Sequence, residues 1–215
     1  MRVIAFNGSP RKDWNTAILL KHALQGAESQ GAETNLYDYT YTGCLSCFKC
    51  KLKGGDSLGR CATRDDLRPL LGEAAESAAL LVGSPIYFGS ITGATKAFLE
   101  RLLFPYLVYD QGHSSLFARK LPTGFIYATG ANESRVREAG YTHGFQLLEG
   151  ILQRTFGSSE YLVATDTYQF DDYTKYETSG FDVDGKKRRR QEVFPQDCRR
   201  AFDLGARLVR QPQTA

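Results

Sequence analysis

Short apolar runs alternate with amphipathic segments along most of the chain. The apolar runs predict five β-strands, over residues 3–6, 34–37, 79–82, 124–128 and 161–165. Between them, apolar positions three and four residues apart predict helices over 16–30, 66–76, 93–103, 143–156 and 195–209. Strands that alternate with helices form a parallel sheet covered on both faces. The pattern therefore predicts a doubly wound α/β fold with a five-stranded parallel sheet.

The alternation shows no internal repeat and no second unit, so residues 1–215 are predicted to form a single domain. With 42% apolar residues, the chain can bury one core. Two long connections interrupt the pattern, over 104–121 and 167–194. The second is expected to be an irregular C-terminal extension. Long connections of this kind often serve as lids or subunit contacts.

Composition narrows the classes of partner. A formal net charge of +3 is too small to imply nucleic acid. No run approaches the roughly 20 apolar residues that span a bilayer, and the first residues lack a signal-peptide pattern, so a cytoplasmic protein is expected. The basic run 186–190 is interpreted as a solvated loop or a contact between copies, with nucleic acid or an acidic redox partner as alternatives.

The loop NGSPRKDWNT, residues 7–16, joins the first strand to the first helix. A helix N-terminus offers unpaired N–H groups and the positive end of the helix dipole, which together suit a phosphate monoester. Gly8 allows a tight turn. The motifs GxxxxGK[ST] and GxGxxG are both absent, and an ordinary capped turn is the alternative. The loop offers neutral and charged donors, namely Ser9, Arg11, Lys12, Asn15 and Thr16.

A second loop, GSPIYFG at residues 83–89, follows the third strand. Its glycines and proline predict an irregular backbone, and Tyr87 and Phe88 offer flat apolar walls for a flat heterocycle. Gly89 permits close approach of the backbone to a ligand. A buried aromatic turn is the alternative. This loop, the first loop and Thr129-Gly130 all lie at the carboxyl edge of the predicted sheet, where such folds bind ligands.

Four cysteines lie within eighteen residues, as CLSCFKC, a ten-residue gap and a fourth cysteine. Soft thiolates at this spacing suit an iron–sulfur cluster or zinc, and free or redox-active thiols remain an alternative. Cys198, on the last predicted helix, is expected to be a core or surface thiol. Of the nearby charges, Asp65 or Asp66 is predicted to cap a helix, and Lys96 and Arg101 to be solvated or interface charges. The four clustered cysteines are Cys44, Cys47, Cys50 and Cys61.

Three segments, GSPRKDWNT, GSPIYFGSITGATKAFLERL and YATGAN, resemble the NADPH-dependent FMN reductase family of the flavodoxin-like superfamily over residues 1–130. The resemblance implies a flavodoxin-like fold that binds FMN non-covalently. Trp14 departs from it, since the family usually has a small residue there. The implied phosphate contacts are Ser9, Arg11, Asn15 and Thr16. The implied flavin-ring contacts are Pro85, Ile86, Tyr87, Phe88 and Gly89 along the ring, with Thr129 and Gly130 at its far edge.

Within that family, CLSCFKC…GRCATRDDL resembles the iron–sulfur flavoproteins. This implies a [4Fe–4S] cluster on Cys44, Cys47, Cys50 and Cys61, although the ten-residue gap before Cys61 is longer than in those proteins. Closure of such a loop costs little more than closure of a shorter one, so Cys61 is still expected to reach the site.

The resemblance also implies electron transfer with NAD(P)H or a redox partner protein, and a homo-oligomer, either a dimer or a tetramer. The aromatic connection with Phe104, Tyr106, Leu107 and Tyr109 is a candidate contact surface. Three alternatives stay open: a cluster-free NAD(P)H-dependent flavin or quinone reductase, a non-enzymatic electron carrier, and a zinc-stapled regulatory module.

Overall fold

The computed structural model describes residues 2–28, 31 and 33–210 of the chain. The strands are β1 (Val3–Asn7), β2 (Glu33–Asn35), β3 (Ala79–Tyr87), β4 (Ser90–Ile91), β5 (Thr123–Ala128) and β6 (Ser159–Ala164). The helices are α1 (Asn15–Gly26), α2 (Leu67–Glu76), α3 (Gly93–Leu103), α4 (Glu133–Glu138), α5 (Tyr141–Phe156), α6 (Val183–Glu192) and α7 (Phe194–Arg210).

The parallel strands lie in the order β2-β1-β3-β5-β6, and β4 pairs antiparallel with the end of β3. This order confirms the predicted doubly wound sheet. The chain leaves β1 toward one side of the sheet and returns to the other side at β3, so the carboxyl ends of these two strands flank a crevice. The Gly8 N–H donates to the Gly83 carbonyl across that crevice at 2.8 Å.

Successive residues of each strand face opposite sides of the sheet. Helices cover both sides, as predicted. On one face Ile4, Phe6 and Val82 pack in a cluster with side chains of α2, α3 and α5. On the other face, Val3 and Ala5 belong to a cluster with side chains of α1 and α7. The two helices α1 and α7 meet backbone to backbone, since a Cβ atom on Gly26 would lie 1.8 Å from the Phe202 carbonyl oxygen.

Several predicted boundaries differ from the structure. The first helix ends at Gly26, and Glu28 adopts a left-handed φ of 48°, while residues 29 and 30 of the prediction lie outside the described residues. The second strand ends at Asn35, whose Oδ1 accepts the Tyr37 N–H at 2.9 Å and starts a 3₁₀ turn. The third strand continues to Tyr87 because it pairs with β4.

The connection over 167–194 is not irregular throughout, because it contains α6. The prediction missed this helix since its sequence, VDGKKRRRQE, has no apolar stripe. A capping contact marks its start: Asp182 Oδ1 accepts the Gly185 N–H at 2.8 Å. None of the helices in the described ranges is both long and apolar enough to cross a membrane.

Candidate functional site

The phosphate loop, residues 7–14 between β1 and α1, is held by its own polar groups. Asn7 Oδ1 accepts the Ser9 N–H at 2.9 Å, and Ser9 Oγ accepts the Arg11 N–H at 3.1 Å. Ser9 is buried, as are Asn15 and Thr16 at the start of α1. Trp14 occupies the N-cap position without a capping side-chain hydrogen bond, and the first turn carries no acidic residue. The positive end of the α1 dipole therefore faces the loop without a counter-charge from its first turn.

The start of α3 packs against the backbone of the phosphate loop. Thr92 Oγ1 donates to the Gly8 carbonyl at 2.8 Å and lies 2.8 Å from Thr95 Oγ1. A Cβ atom on Gly8 would lie 1.8 Å from that same Thr95 hydroxyl. Glycine is required at this position because the loop backbone rests directly on buried threonines.

The segment after β6 lies against the phosphate loop, a contact that sequence reasoning missed. The Tyr168 carbonyl accepts from Trp14 Nε1 at 3.0 Å and from Asn15 Nδ2 at 2.7 Å. The Arg11 guanidinium donates to the Gln169 carbonyl. Trp14 thus anchors the C-terminal part of the chain. No signal in the sequence links positions more than 150 residues apart.

Between the phosphate loop and Gly130 lies a polar atom without a partner. Gln169 Oε1 is buried and accepts no hydrogen bond, and a Cβ atom on Gly130 would lie 1.9 Å from Gln169 Nε2. A buried acceptor with no donor is costly unless a bound molecule supplies one. Lys12, by contrast, is paired with Asp38 at 2.5 Å on the outer side.

The second loop is a β-hairpin rather than a buried turn. Tyr87 pairs with Ser90, and between them Phe88 and Gly89 have φ values of 50° and 81°, as in the two-residue turns that favour glycine. Pro85 and Ile86 are half-buried along β3, whereas Tyr87 is 46% exposed and Phe88 is fully exposed at the tip. The two aromatic residues predicted to form one flat wall are therefore separated: Tyr87 ends the strand, and Phe88 projects from the tip of the hairpin.

The third loop follows β5 and completes the edge. Thr129 is buried, its N–H donates to the Ala164 carbonyl at 2.9 Å, and its Oγ1 accepts the Ala131 N–H at 3.1 Å. The Gly130 carbonyl accepts from Lys186 Nζ at 3.0 Å, and the same ammonium pairs with Asp166 at 2.6 Å. The carboxyl edge thus carries the three predicted loops, and the C-terminal extension holds the third.

The four clustered cysteines line one small cavity beside α3, together with Phe48 and Phe104. Left-handed φ values at Ser46 and Phe48 turn the CLSCFKC run on itself. The insertion closes where the Gly59 N–H donates to the Cys50 carbonyl at 3.0 Å. The structure therefore brings Cys61 back to the other three cysteines across the ten-residue gap. Cys198, in contrast, is buried in α7.

Two cations adjoin this cavity. Arg101, expected to be a solvated or interface charge, is fully buried, and its Nε donates to Cys61 Sγ at 3.3 Å. Lys51 donates to the carbonyls of Phe104 and Leu107 and, at 3.2 Å, to that of Pro105. Burial raises the pKa of the Cys50 thiol, while the Lys51 charge opposes that rise. Positive charge beside thiols favours the thiolate form that binds metals.

In the acidic pair after Cys61, Asp65 makes the predicted capping contacts, because its carboxylate accepts from the Leu67 and Arg68 N–H groups at the start of α2. Asp66 occupies the N-cap position, but its side chain accepts the Thr40 N–H at 2.9 Å instead. Asp65 forms an ion pair with Arg101. Burial alone would raise the pKa of Asp65, but the hydrogen bond and charge of Arg101 hold it below its ordinary value.

Among the described residues, no three His, Cys, Asp or Glu side chains are arranged to hold a single metal ion. Iron–sulfur clusters differ, since their cysteine ligands bind to separate irons of one larger unit. A larger cavity of about 770 Å³, mostly apolar, lies between α3, α5 and the β-hairpin. Cys44 lines both cavities, so the cysteine site and the second loop border one continuous region.

This sheet order and its three strand-end loops define a flavodoxin-like α/β protein. The family model for NADPH-dependent FMN reductase matches residues 1–155, and the chain belongs to that family. An iron–sulfur flavoprotein of Methanocaldococcus jannaschii is 34% identical over 104 residues, covering 47% of this chain and 51% of that protein. One from Archaeoglobus fulgidus is 36% identical over 104 residues, covering 47% and 48%. These matches therefore span about half the length of each relative.

Solved structures agree with the fold. An NAD(P)H:quinone oxidoreductase from Methanothermobacter marburgensis has a TM-score of 0.69 at 12% identity, over 97% of this chain and 98% of that one. An FMN-dependent NADH-azoreductase from Bacillus anthracis, in complex with FMN, has a TM-score of 0.66 at 14% identity, over 97% and 100%. At these identities the likeness shows the fold alone.

Proposed function

We propose that the protein is an FMN-binding oxidoreductase that exchanges electrons with NAD(P)H or with a redox partner protein. The observation that carries the proposal is the start of α1, where buried Ser9, Asn15 and Thr16 surround a helix N-terminus whose first turn has no acidic residue. Such a site favours a phosphate dianion. Membership of the FMN reductase family supports the same conclusion.

The three loops fit FMN by their chemistry. The phosphate loop would hold the phosphate through its N–H groups and the hydroxyls of Ser9 and Thr16. The unpartnered Gln169 Oε1, between the first and third loops, would accept a donor from the ligand. The strand part of the second loop, Pro85 to Tyr87, would lie along the flavin ring. The exposed Phe88 extends beyond it.

We further propose a [4Fe–4S] cluster on Cys44, Cys47, Cys50 and Cys61. Support comes from the shared cavity, the two adjoining cations, and the similarity of the chain to proteins named iron–sulfur flavoproteins. Flavins accept electrons in pairs and release them singly, and clusters carry one electron at a time. In this chain Cys44 would link the two sites, because it borders both cavities.

FMN binding is tested by titration of the purified chain, with a Thr16→Val variant. This change removes a hydroxyl and keeps the volume, and a lost bond to a charged ligand costs about 1.5–3 kcal/mol. We expect affinity to fall roughly 10- to 100-fold. Thr174→Val is the control, since Thr174 is exposed and its hydroxyl bonds to Asp172. No FMN uptake by the wild type, or release of FAD instead, would contradict the proposal.

Turnover separates the enzyme from its alternatives. Steady-state oxidation of NAD(P)H by the FMN-loaded protein with a quinone or free flavin as acceptor supports a reductase. Rapid electron exchange with a reduced redox protein, but no oxidation of NAD(P)H, identifies an electron carrier. A reductase that turns over with all four cysteines replaced by alanine matches the cluster-free alternative.

We propose that the chain forms a homo-oligomer, although the expected contact surface needs revision. Tyr106 packs inside the chain, with its ring 4.9 Å from that of Phe117, and Pro105 is buried. Tyr109 remains exposed, as do Leu147 beside the larger cavity and Phe88. Exposed apolar side chains around an apolar groove favour an interface. Light scattering that gives the mass of one chain at all concentrations would contradict this proposal.

A further inference from the structure

Arg101 of α3 is the most completely bonded charged side chain of the cysteine region. Nε donates to Cys61 Sγ at 3.3 Å, and Nη1 donates to the Thr42 carbonyl at 3.3 Å and to Asp65. Nη2 donates to the Thr63 carbonyl at 3.4 Å and to Asp65 Oδ1 at 2.9 Å. A guanidinium has five N–H donors, so every donor is used.

These contacts join the two ends of the cysteine segment. Thr42 lies two residues before Cys44, whereas Cys61 and Thr63 follow the insertion. The CLSCFKC run is shaped by its own turns, at Ser46 and Phe48. Cys61 lies outside that run, so the turns at Ser46 and Phe48 do not fix its position. The backbone contact at Gly59 closes the insertion, and Arg101 then fixes the sulfur itself.

We propose that Arg101 is a positioning residue that holds Cys61 as the fourth cluster ligand and tunes the cluster through an N–H···S hydrogen bond. The inference rests on the proposed function. Hydrogen bonds to the sulfurs are among the factors that set cluster potentials. A donor aimed at the sulfur stabilises the more negative, reduced state, so Arg101 raises the reduction potential. Asp65 balances the guanidinium charge, which makes the directed N–H, rather than net charge, the active feature.

Three variants separate these roles. Arg101→Lys keeps a positive charge beside Asp65 but loses the planar fork and its bond to sulfur. Arg101→Gln combined with Asp65→Asn removes both charges, so that no buried carboxylate remains unpaired. Arg137→Lys is the control, because Arg137 forms an exposed ion pair with Glu133 on α4 and neither residue lines the cysteine cavity.

Each variant is loaded with FMN and reconstituted anaerobically with iron and sulfide. We then measure iron per chain and the midpoint potential of the cluster by a redox titration followed by electron paramagnetic resonance. We expect the iron content of the double variant to fall from about four irons per chain to about three, because Cys61 would no longer be held as a ligand. We expect Arg101→Lys to keep its iron but to show a more negative midpoint potential. Arg137→Lys should match the wild type.

The outcomes distinguish the inference from the proposed function. If the wild type takes up no iron, the cluster proposal fails and this inference fails with it. If the wild type takes up about four irons and the Arg101 variants match it in iron and in potential, only the inference is overturned. FMN affinity and the thermal melt report whether each variant folds. If the double variant does not fold, the potential of Arg101→Lys decides the matter.

Discussion

At the scale of single residues, the phosphate loop depends on positions where no side chain fits. Gly8 lies against Thr95, and that threonine is buried and bonded to Thr92. Gly8→Ala must therefore displace the loop. We expect FMN affinity to fall at least tenfold, about 1.4 kcal/mol or more, measured by quenching of flavin fluorescence.

The matched control for this change is Gly72→Ala. Gly72 lies in α2, and a Cβ atom there would meet nothing within 4 Å. Alanine is favoured over glycine inside helices by about 0.5–1 kcal/mol, so this variant should melt slightly higher and bind FMN unchanged. Equal FMN affinity in both variants would show that the loop tolerates the displacement.

A second prediction at this scale concerns Glu33, on β2 beside the phosphate loop. Burial raises the pKa of Glu33 above its ordinary value of 4.5, although Lys21 and a hydrogen bond from Asn7 oppose the rise. Ionised Glu33 therefore costs stability at neutral pH. The cost falls as pH drops through the raised pKa and vanishes below the ordinary value, where the group is protonated both folded and unfolded.

Glu33→Gln should accordingly raise the free energy of unfolding at pH 7 by on the order of 1 kcal/mol. The gain should disappear below about pH 4, close to the ordinary glutamate pKa. Urea unfolding across this range measures it. Glu177→Gln, at an exposed position, should show no difference at any pH. A gain that persists at low pH would mean that burial of charge is not the cause.

At the scale of elements, α6 acts as a clamp on the third loop and on the start of α1, two parts of the candidate FMN site. Lys186 reaches Asp166 and the Gly130 carbonyl of the third loop, and Arg190 donates to Asn15 Oδ1 at 2.8 Å. The basic run is thus helical and partly a set of buried anchors, which corrects its interpretation as a solvated loop; the contact between copies stays a prediction. Such anchors should stabilise the extension and the FMN site together.

Lys186→Met tests this clamp. Removal of one partner of a buried pair costs about 3–5 kcal/mol, and less here because Asp166 is partly exposed. We expect a loss of roughly 1–3 kcal/mol in stability, together with weaker FMN binding. Lys187→Met is the control, since Lys187 is the next residue along α6 and its side chain is 57% exposed. If the two variants behave alike in urea unfolding and in FMN titration, Lys186 does not stabilise the extension or the FMN site.

The elements also show what the sequence could predict. Strands and amphipathic helices were found because their apolar spacing is local, and the loops at their ends followed from sheet topology. Helix α6 was missed because the side chains that it buries belong to Lys186 and Arg189, which leave no apolar pattern in the sequence. The two-residue hairpin at Phe88-Gly89 was missed because phenylalanine rarely adopts a left-handed φ.

At the scale of the whole molecule, the two candidate sites lie next to each other through Cys44. The sequence predicted candidate members of both sites, but it did not predict the groups that contact and position them. Arg101 was interpreted as a solvated or interface charge because its partners, Asp65 and Cys61, are 36 and 40 residues away. Tyr168 and Gln169 reach the phosphate loop from still farther. Long-range polar contacts leave no periodic signal in a single sequence.

The central claim is that one chain holds both FMN and a [4Fe–4S] cluster. It is tested most directly by flavin, iron and sulfide analysis of the anaerobically reconstituted protein, with its absorption spectrum. We expect one FMN and about four irons and four sulfides per chain, with the cluster lost and FMN retained in Cys47→Ala and both unchanged in Cys198→Ala. Bound FMN with fewer than about two irons per chain and four freely titrating thiols would contradict it.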